Sequence, residues 1–161
     1  MNTLIFRDKP KQSDAKAVCA IVASSGYFTD SETEMAVELV EERLQKGEAS
    51  GYYFLFVDSN GSTVGYTCFG PICCTKDSFD LYWIAVDNQC RGKSLGSELL
   101  SRSEADIYRM GGRRVYIETS SRDQYIDTRR FYLKNGYIQE AILQDFYGPG
   151  DSKVIFVKAL G

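Results

Sequence analysis

The stretch Trp83–Leu100 reads W-I-A-V-D-N-Q-C-R-G-K-S-L-G-S-E-L-L, and the rest of the predicted architecture is arranged around it. Its opening belongs to an apolar run rich in aromatic and branched side chains, a composition typical of a β-strand. Polar residues from Asp87 interrupt that run, and leucines then recur at helical spacing from Leu95. The stretch therefore predicts a strand, a loop and a helix, in that order.

The loop between this strand and this helix carries Arg91, Lys93 and Ser94 beside Gly92 and Gly96. Glycines let the backbone approach a ligand closely. The unpaired N–H groups at the start of a helix, together with the helix dipole, favour a bound phosphate. The loop therefore predicts a site for a phosphorylated ligand.

Two nucleotide-binding motifs are alternatives for this loop. The triplet Gly92-Lys93-Ser94 closes an NTP-binding P-loop, but that motif also needs a glycine five positions before Gly92, where Asp87 stands. A dinucleotide-binding fingerprint needs three spaced glycines, and only Gly92 and Gly96 are present. Both motifs are disfavoured, which leaves a phosphate site of another type or a turn that uses glycine for packing alone.

The length and composition favour one cytoplasmic domain. A chain of 161 residues, 43% of them hydrophobic, can bury a core of its own, so a single domain spanning residues 1–161 is expected. No run approaches the roughly 20 apolar residues of a membrane span, and the charges after the short N-terminal apolar run do not fit a signal peptide. The net charge of -3 argues weakly against a nucleic-acid surface and slightly favours a cationic partner.

The chain contains no histidine and an odd number of cysteines. Without histidine there is no imidazole to carry a proton and no Ser-His or Cys-His nucleophile pair, so proton transfer falls to carboxylates, tyrosines, a thiol or water. The five cysteines form no C-x-x-C pair, and adjacent Cys73 and Cys74 have awkward spacing for metal ligands. Buried or idle thiols and no bound metal are therefore expected.

Hydrophobic periodicity and turn residues predict seven strands and four helices. The strands are expected at residues 3–7, 52–57, 63–68, 80–86, 113–119, 137–146 and 153–160. The helices are expected after a cap at Ser13-Asp14, from a capping box of Ser31 with Glu34 up to Gly47, over residues 94–110, and over residues 128–135 after a cap at Asp127. Asn60-Gly61 and residues 148–151 mark two further turns between strands.

This order of elements resembles the GNAT family of acyl-CoA-dependent N-acyltransferases over essentially the whole chain. The motifs that carry the resemblance are the strand W-I-A-V, the loop R-G-K-S-L-G, the next strand Y-I-E-T, and R-R-F-Y-L-K-N-G-Y, which matches the family signature F-Y-x-x-x-G-[FY]. The resemblance implies an α/β (α+β) fold in which about four helices flank a mixed, mostly antiparallel sheet of seven strands.

The resemblance also implies how coenzyme A is held. The backbone of Ile84, Ala85 and Val86 would hold pantetheine, and the Ile84 N–H would polarise the thioester carbonyl. Tyr125 stands where many members of the family have an asparagine that touches pantetheine. Ser94 replaces a glycine that is common in the loop. The pyrophosphate would be bound by backbone amides of the loop residues Arg91, Gly92, Lys93, Ser94, Leu95 and Gly96.

Tyr132 is the candidate acid. It matches the family tyrosine that lies beside the thioester sulfur, where a phenol can hydrogen-bond or protonate the departing thiolate. The alternative is that Tyr132 is a core aromatic residue next to Phe131.

Two carboxylates are candidates for the base. Asp80 matches a glutamate that some members of the family use at the start of the fourth strand, and Glu118 lies on the fifth strand. Asp80 could instead be a solvated strand end, and Glu118 could pair with Arg122 or Arg129. A chain of bound water could also carry the proton away.

The residues and the resemblance together predict transfer of an acetyl group from acetyl-CoA to the primary amine of a small molecule or peptide, by direct attack in a ternary complex. Cys90 lies beside the loop without an evident activating neighbour, so a covalent intermediate is disfavoured. A non-catalytic acyl-CoA-binding or sensing module on the same fold is the alternative. No nucleic acid, membrane or metal is expected as a partner, the acceptor amine is left open, and a homodimer is one option for the oligomeric state.

Overall fold

The computed structural model describes residues 3–161 and divides them into two compact units. The first unit is the chain up to Gly70 together with Trp83–Asp106, and the second is Pro71–Tyr82 together with Ile107–Gly161. The strands are β1 (Leu4–Arg7), β2 (Tyr53–Ser59), β3 (Ser62–Pro71), β4 (Ser78–Val86), β5 (Arg114–Ser120), β6 (Ile138–Gly148) and β7 (Asp151–Ala159). The α-helices are α1 (Asp14–Ser24), α2 (Asp30–Lys46), α3 (Leu95–Arg109) and α4 (Ile126–Lys134).

The strands form one mixed sheet in the order β1-β2-β3-β4-β5-β7-β6. β1 with β2, β2 with β3, β5 with β7 and β6 with β7 pair antiparallel, whereas β4 and β5 pair in parallel. A parallel pair needs a long crossover connection, and α3 lies in that connection. The predicted fold, a mixed and mostly antiparallel sheet of seven strands with four helices, is confirmed.

In the first unit, strand β2 sends alternate side chains into two apolar clusters. Phe54 and Phe56 pack in a cluster built from α1, α2 and β3. Leu55 and Val57 pack in the other cluster, which includes Leu99 of α3. Because successive side chains of a strand point to opposite faces of the sheet, β2 is covered on both faces.

In the second unit, α4 packs an aromatic side chain onto β7. The Tyr132 ring lies 5.6 Å from the Phe156 ring and 6.0 Å from the Tyr137 ring, measured between centroids. Val115 and Ile117 of β5 are also buried. This core fixes the position of α4 against the sheet of its own unit.

A buried ion network joins β1, α1 and β2. Arg7 Nη2 lies 2.6 Å from Asp14 Oδ1, and Arg7 Nε lies 2.8 Å from Asp58 Oδ2. Thr63 Oγ1 donates a hydrogen bond to Asp58 at 2.8 Å. The prediction that Ser13-Asp14 caps α1 is wrong, because Ser13 makes no side-chain cap and the Asp14 carboxylate is directed to Arg7.

Two other predicted caps are also wrong. Thr29 is the N-cap of α2: its Oγ1 accepts from the Glu32 N–H at 3.2 Å, and Glu32 Oε2 accepts from the Thr29 N–H at 2.7 Å. Ser31 with Glu34 has the same spacing, so the sequence offers two capping boxes, and the earlier one is formed. Asp127 is not a cap, because it lies inside the first turn of α4.

Both tight turns form as predicted. Asn60 and Gly61 have φ angles of 52° and 80°, and the left-handed conformation at both residues defines the type I′ turn of a two-residue hairpin. Pro149 and Gly150 join β6 to β7, and Gly150 has a φ of 78°. Proline followed by a residue with positive φ is the pattern of a type II turn.

The longest of the helices is α2, which runs over 17 residues and carries many charged side chains. Within residues 3–161, no helix has both the length and the apolar character that crossing a bilayer requires.

Candidate active site

The loop after β4 leads directly into the first turn of α3. Gly92 has a φ of 78° and Ser94 a φ of 59°, so both lie in the left-handed region. The Glu98 N–H donates to the Ser94 carbonyl at 3.1 Å, which ties the loop to the helix. Arg91 and Lys93 are exposed, as are both left-handed residues. An exposed helix start of this kind suits an anion.

Ser94 holds a backbone conformation that glycine would hold with less strain, since non-glycine residues rarely adopt positive φ. Serine at position 94, where the resemblance expects a glycine, therefore introduces backbone strain. A Cβ added at Gly92 would meet no atom within 4 Å. Glycine is needed at position 92 for its φ angle, not for lack of room.

Side chains of the first unit support this loop. Arg91 Nη1 donates to Tyr27 Oη at 3.3 Å, and the Arg91 guanidinium lies 5.5 Å from the centroid of the Tyr27 ring. Asp87, the residue that disfavours a P-loop, accepts from the Gln89 N–H at 2.9 Å and caps the short turn Asn88–Cys90. The loop is therefore anchored at its start and along its side.

The end of β4, predicted to hold pantetheine, is half-buried in the first unit. Ile84 and Val86 pack against the cluster that includes α3, and Trp83 and Ala85 pack against the cluster of α1 and α2. The Trp83 ring lies 5.0 Å from the Phe28 ring. These contacts hold the strand backbone in a fixed position.

Asp80 lies near the start of β4, in the second unit, opposite Tyr116 of β5. Its side chain is half-buried, so it is not a fully solvated strand end. Burial raises the pKa of Asp80 to about 6, the Glu118 carboxylate acts in the same direction, and Lys153 opposes them. Asp80 is thus a carboxylate that exchanges its proton close to neutral pH.

Glu118 forms an ion pair with Lys153 of β7, with 3.0 Å between Lys153 Nζ and Glu118 Oε2. The same ammonium lies 3.8 Å from the centroid of the Phe146 ring. The Lys153 side chain is 13% exposed and that of Glu118 is 49% exposed. Arg129, one of the predicted partners of Glu118, instead donates to the Ser120 carbonyl at 2.8 Å.

Sequence reasoning missed Lys153 and Phe146. Lys153 stands opposite Ser120 in the register of β5 and β7, and Ser120 shares a strand face with Glu118. Lys153 is therefore a diagonal cross-strand neighbour of Glu118. No local pattern sets the register between β5 and β7, so nothing in the sequence singles out this lysine.

Tyr132 lies on α4 in the same unit, and only 5% of it is exposed. Its ring lies 5.6 Å from the Phe131 ring, in addition to its contacts with Tyr137 and Phe156. Burial raises the pKa of Tyr132 far above its ordinary value, so the phenol stays protonated. This position fits both predicted roles, a hydrogen-bond donor and a core aromatic. Tyr125, the other tyrosine of interest, is the half-buried N-cap residue of α4 and makes no side-chain cap.

The expectation of buried thiols holds for Cys68, whose pKa is raised by burial. Cys90 beside the loop is half-buried and packs against the cluster that includes α3. Cys19, Cys73 and Cys74 are exposed, so of the two expected states, buried or idle, these three thiols are not buried.

The order of elements and the glycine-containing loop before α3 define an acetyltransferase fold. Residues 50–139 match the model of the acetyltransferase (GNAT) domain, and the chain belongs to this family. The match includes the loop, Asp80, Glu118 and Tyr132. The predicted family is therefore confirmed.

Solved structures show the same fold. A crystal structure of a Desulfovibrio desulfuricans protein assigned to the GNAT family of acetyltransferases is 40% identical, with 99% of this chain and 100% of that chain covered and a TM-score of 0.97. The PaiA N-acetyltransferase of Thermoplasma acidophilum, solved in complex with coenzyme A, is 18% identical over 98% of this chain and 99% of that chain, with a TM-score of 0.77.

A curated relative aligns over a shorter stretch. An uncharacterized N-acetyltransferase of Methanocaldococcus jannaschii is 29% identical over 75 residues, which is 47% of this chain and 47% of the relative. The matched stretch therefore spans about half the length of this relative.

Proposed function

We propose that this protein is an N-acetyltransferase that moves an acetyl group from acetyl-CoA to the primary amine of a small molecule or peptide, by direct attack in a ternary complex. The observation that carries the proposal is Asp80, whose pKa is raised to about 6 by burial and by Glu118. A carboxylate with that pKa accepts a proton from an ammonium more readily than an ordinary aspartate does.

The loop and the family support acetyl-CoA as the acyl donor. Residues 91–94 are exposed immediately before α3, and the start of a helix favours phosphate oxygens. Lys93 and Arg91 add positive charge there. The backbone of Ile84, Ala85 and Val86 is assigned to pantetheine, and the Ile84 N–H is assigned to the thioester carbonyl. Tyr125 is assigned to the same cofactor. The donor needs no metal ion.

In the proposed reaction, the amine nitrogen bonds to the thioester carbonyl carbon, and the bond from that carbon to sulfur breaks. Asp80, directly or through water, takes the proton that the ammonium must lose before attack. Tyr132, whose phenol burial keeps protonated, donates a hydrogen bond to the departing sulfur. The second proton that the nitrogen loses after attack passes to that sulfur, directly or by way of the Tyr132 hydroxyl, which regains the proton it gives up. Coenzyme A and the N-acetylated amine leave as products.

Glu118 is assigned to the acceptor as an anchor. About half of its side chain is exposed, so one face of the carboxylate is open to a cationic group. Lys153 pairs with it and opposes the rise in the pKa of Asp80. Lys153 offsets the repulsion between the carboxylates of Asp80 and Glu118, so the pKa of Asp80 would be higher without this lysine.

We extend the proposal to a single cytoplasmic domain spanning residues 1–161, without a nucleic-acid or membrane partner. Large apolar side chains are exposed along β6, which is an edge of the sheet, and they include Ile138, Ile142 and Phe146. Exposed apolar edge strands are usually covered, which supports a homodimer. Light scattering on the purified protein measures the oligomeric state.

The test of the proposed function is release of free thiol from acetyl-CoA in the presence of different amines. The panel holds a peptide with a free N-terminus, a lysine peptide, a polyamine, a free amino acid and an aminoglycoside. We expect at least one amine to raise thiol release above hydrolysis, with a product heavier by one acetyl group. If acetyl-CoA binds in calorimetry and no amine raises the rate, the acyl-CoA sensor replaces the enzyme.

A further inference from the structure

Two exposed thiols lie side by side on the turn between β3 and β4. Cys73 and Cys74 are both exposed, and their Sγ atoms are 3.6 Å apart. Because these sulfurs can be reached from solvent and face each other, a single incoming atom can contact both. Neither residue has a part in the proposed acetyl transfer.

The backbone holds this pair of thiols in place. The Thr75 N–H donates to the Ile72 carbonyl at 3.3 Å, and Thr75 Oγ1 donates to the same oxygen at 2.8 Å. The Ile72 N–H donates to the Ser78 carbonyl at 2.9 Å. Cys73 and Cys74 are thus the two central residues of a hydrogen-bonded turn, with a φ of 64° at Cys74. A turn closed in this way limits how far the sulfurs can separate.

The spacing fits a bridging atom better than a disulfide. A disulfide needs sulfurs about 2.05 Å apart and Cα atoms about 4.4 to 6.8 Å apart, whereas Cα atoms of adjacent residues lie about 3.8 Å apart. Two sulfurs bound at about 2.3 Å to one pyramidal or tetrahedral atom, with an angle of about 95° to 109° between the two bonds, lie about 3.4 to 3.8 Å from each other. The observed 3.6 Å between Cys73 Sγ and Cys74 Sγ is close to the bridged arrangement.

We propose that Cys73 and Cys74 form a two-thiol site for a soft, thiophilic atom that needs two sulfur ligands, with trivalent organoarsenicals as the ligand class. In the part of the chain from residue 3 onward, no group of three or more Cys, His, Asp or Glu side chains is gathered that could hold a metal ion. The turn therefore offers two sulfurs without the four ligands of a structural zinc site.

The binding step is a condensation without oxidation or reduction. With phenylarsine oxide, both S–H bonds break and two arsenic–sulfur bonds form, while the oxygen leaves as water with both thiol protons. Arsenic stays trivalent throughout. The product is a ring that contains arsenic and both sulfurs, and a single thiol cannot form it.

The experiment treats the full-length protein with phenylarsine oxide and measures intact mass before and after a wash with 2-mercaptoethanol. We expect one phenylarsenic group per chain that survives the monothiol wash and is removed by dithiothreitol. Cys73→Ser and Cys74→Ser should each lose the wash-resistant adduct. Cys19→Ser, which removes an exposed thiol on α1, is the matched control and should keep it.

Circular dichroism spectra of the variants should match that of the parent protein, because both side chains lie on the surface. A wash-resistant adduct in Cys73→Ser or Cys74→Ser would overturn the site, and so would a parent protein that loses the arsenical to 2-mercaptoethanol. Neither outcome depends on acetyl transfer, so the thiol site and the proposed enzyme are tested separately.

Discussion

The most direct prediction of the proposed reaction concerns Asp80, the proposed base. Because the pKa of Asp80 in the free protein is about 6, we expect kcat/KM to rise between roughly pH 5 and 7 as the carboxylate loses its proton. Asp80→Asn removes the proton acceptor and should lower kcat by about 10^2 fold and flatten that rise. Initial rates measured from pH 5 to pH 9, at acceptor concentrations below and above KM, give both kcat and kcat/KM and test this prediction.

Glu118→Gln is the matched control for Asp80→Asn, since it changes the neighbouring carboxylate in the same way. If Glu118 anchors a cationic acceptor, Glu118→Gln should mainly raise the acceptor KM and leave kcat at its optimum pH close to normal. Because Glu118 raises the pKa of Asp80, this variant should also shift the pH profile to lower pH. If both amide variants keep the normal profile, the proton leaves through water and neither residue is the base.

The same pKa predicts an effect on stability. The folded chain holds a proton on Asp80 that the unfolded chain releases between about pH 4 and 6, so this group destabilises the fold as pH rises across that window. Asp80→Asn should therefore raise the free energy of unfolding at pH 7, by about 1 kcal/mol after allowance for the half-solvated position. Urea unfolding of the parent and the variant at about pH 3 and pH 7 measures it, and the difference between the two proteins should vanish at the lower pH, below the pKa of Asp80 in the unfolded chain.

Substitution of Tyr132 distinguishes an acetyltransferase from a module that only binds acyl-CoA. Tyr132→Phe keeps the ring in its aromatic cluster and removes only the hydroxyl, so kcat should fall by about 10 to 10^3 fold with little change in the acetyl-CoA KM. Tyr137→Phe removes a hydroxyl from the neighbouring ring and should leave kcat within about threefold. Equal rates in the parent and in Tyr132→Phe would make Tyr132 a core residue.

At the scale of a structural element, the loop before α3 depends on backbone conformation. Gly92→Val places a β-branched residue at a φ of 78°, so the loop should leave that conformation and coenzyme A affinity should fall by at least about tenfold. Gly61 is a matched control in the same unit, with a φ of 80° and open space where a side chain would begin.

Isothermal calorimetry with coenzyme A compares the two glycine variants. Gly61→Val strains the hairpin of β2 and β3 and should lower the melting temperature while it leaves the affinity unchanged. Unchanged affinity in Gly92→Val, with the protein folded, would remove the pyrophosphate from this loop.

At the scale of the whole molecule, stability should depend on the ion network of Arg7. The Asp14 side chain is fully buried and accepts from both terminal nitrogens of Arg7, at 2.8 and 2.6 Å. Asp14→Asn leaves the guanidinium with less compensation and should cost about 3 kcal/mol of unfolding free energy. Glu98→Gln, which breaks an exposed pair with Arg102, should cost less than about 1 kcal/mol, and equal losses in urea unfolding would contradict the prediction.

The same network should make the fold sensitive to acid. Hydrogen bonds from Arg7, and to a smaller degree from Thr63, hold the pKa of Asp58 below its ordinary value. A depressed pKa in the folded state stabilises the protein above about pH 4, and that contribution is lost as the pH falls through the pKa of the folded state. As the pH is lowered from about 5 to 2, the unfolding free energy of Asp58→Asn should fall less steeply than that of the parent protein. An equally steep fall in both proteins would contradict a role for Asp58 in acid sensitivity.

Features that depend on neighbouring residues could be predicted from the sequence. The I′ turn at Asn60-Gly61 follows from two residues that tolerate positive φ, and the strand, loop and helix around Gly92 follow from periodicity interrupted by polar residues. Seven strands and four helices were predictable for the same reason, whereas the family was predicted from the resemblance of the motifs and of the order of elements. The sequence predicts the cap of α2 at Ser31, but Thr29 and Glu32 have the same spacing as Ser31 and Glu34, and the structure forms the box at Thr29.

The ionisation of the candidate site depends on contacts between residues that are distant in the sequence. Lys153 contacts Glu118 only because of the register between β5 and β7. Outside the candidate site, Arg7 and Asp58 are likewise in contact although 51 positions separate them in the sequence. Sequence reasoning named Asp80 and Glu118 as carboxylates of interest, but it could not assign a pKa to either. The pKa of a carboxylate depends on how far water is excluded and on which charges lie nearby, and only the folded arrangement of the chain determines both.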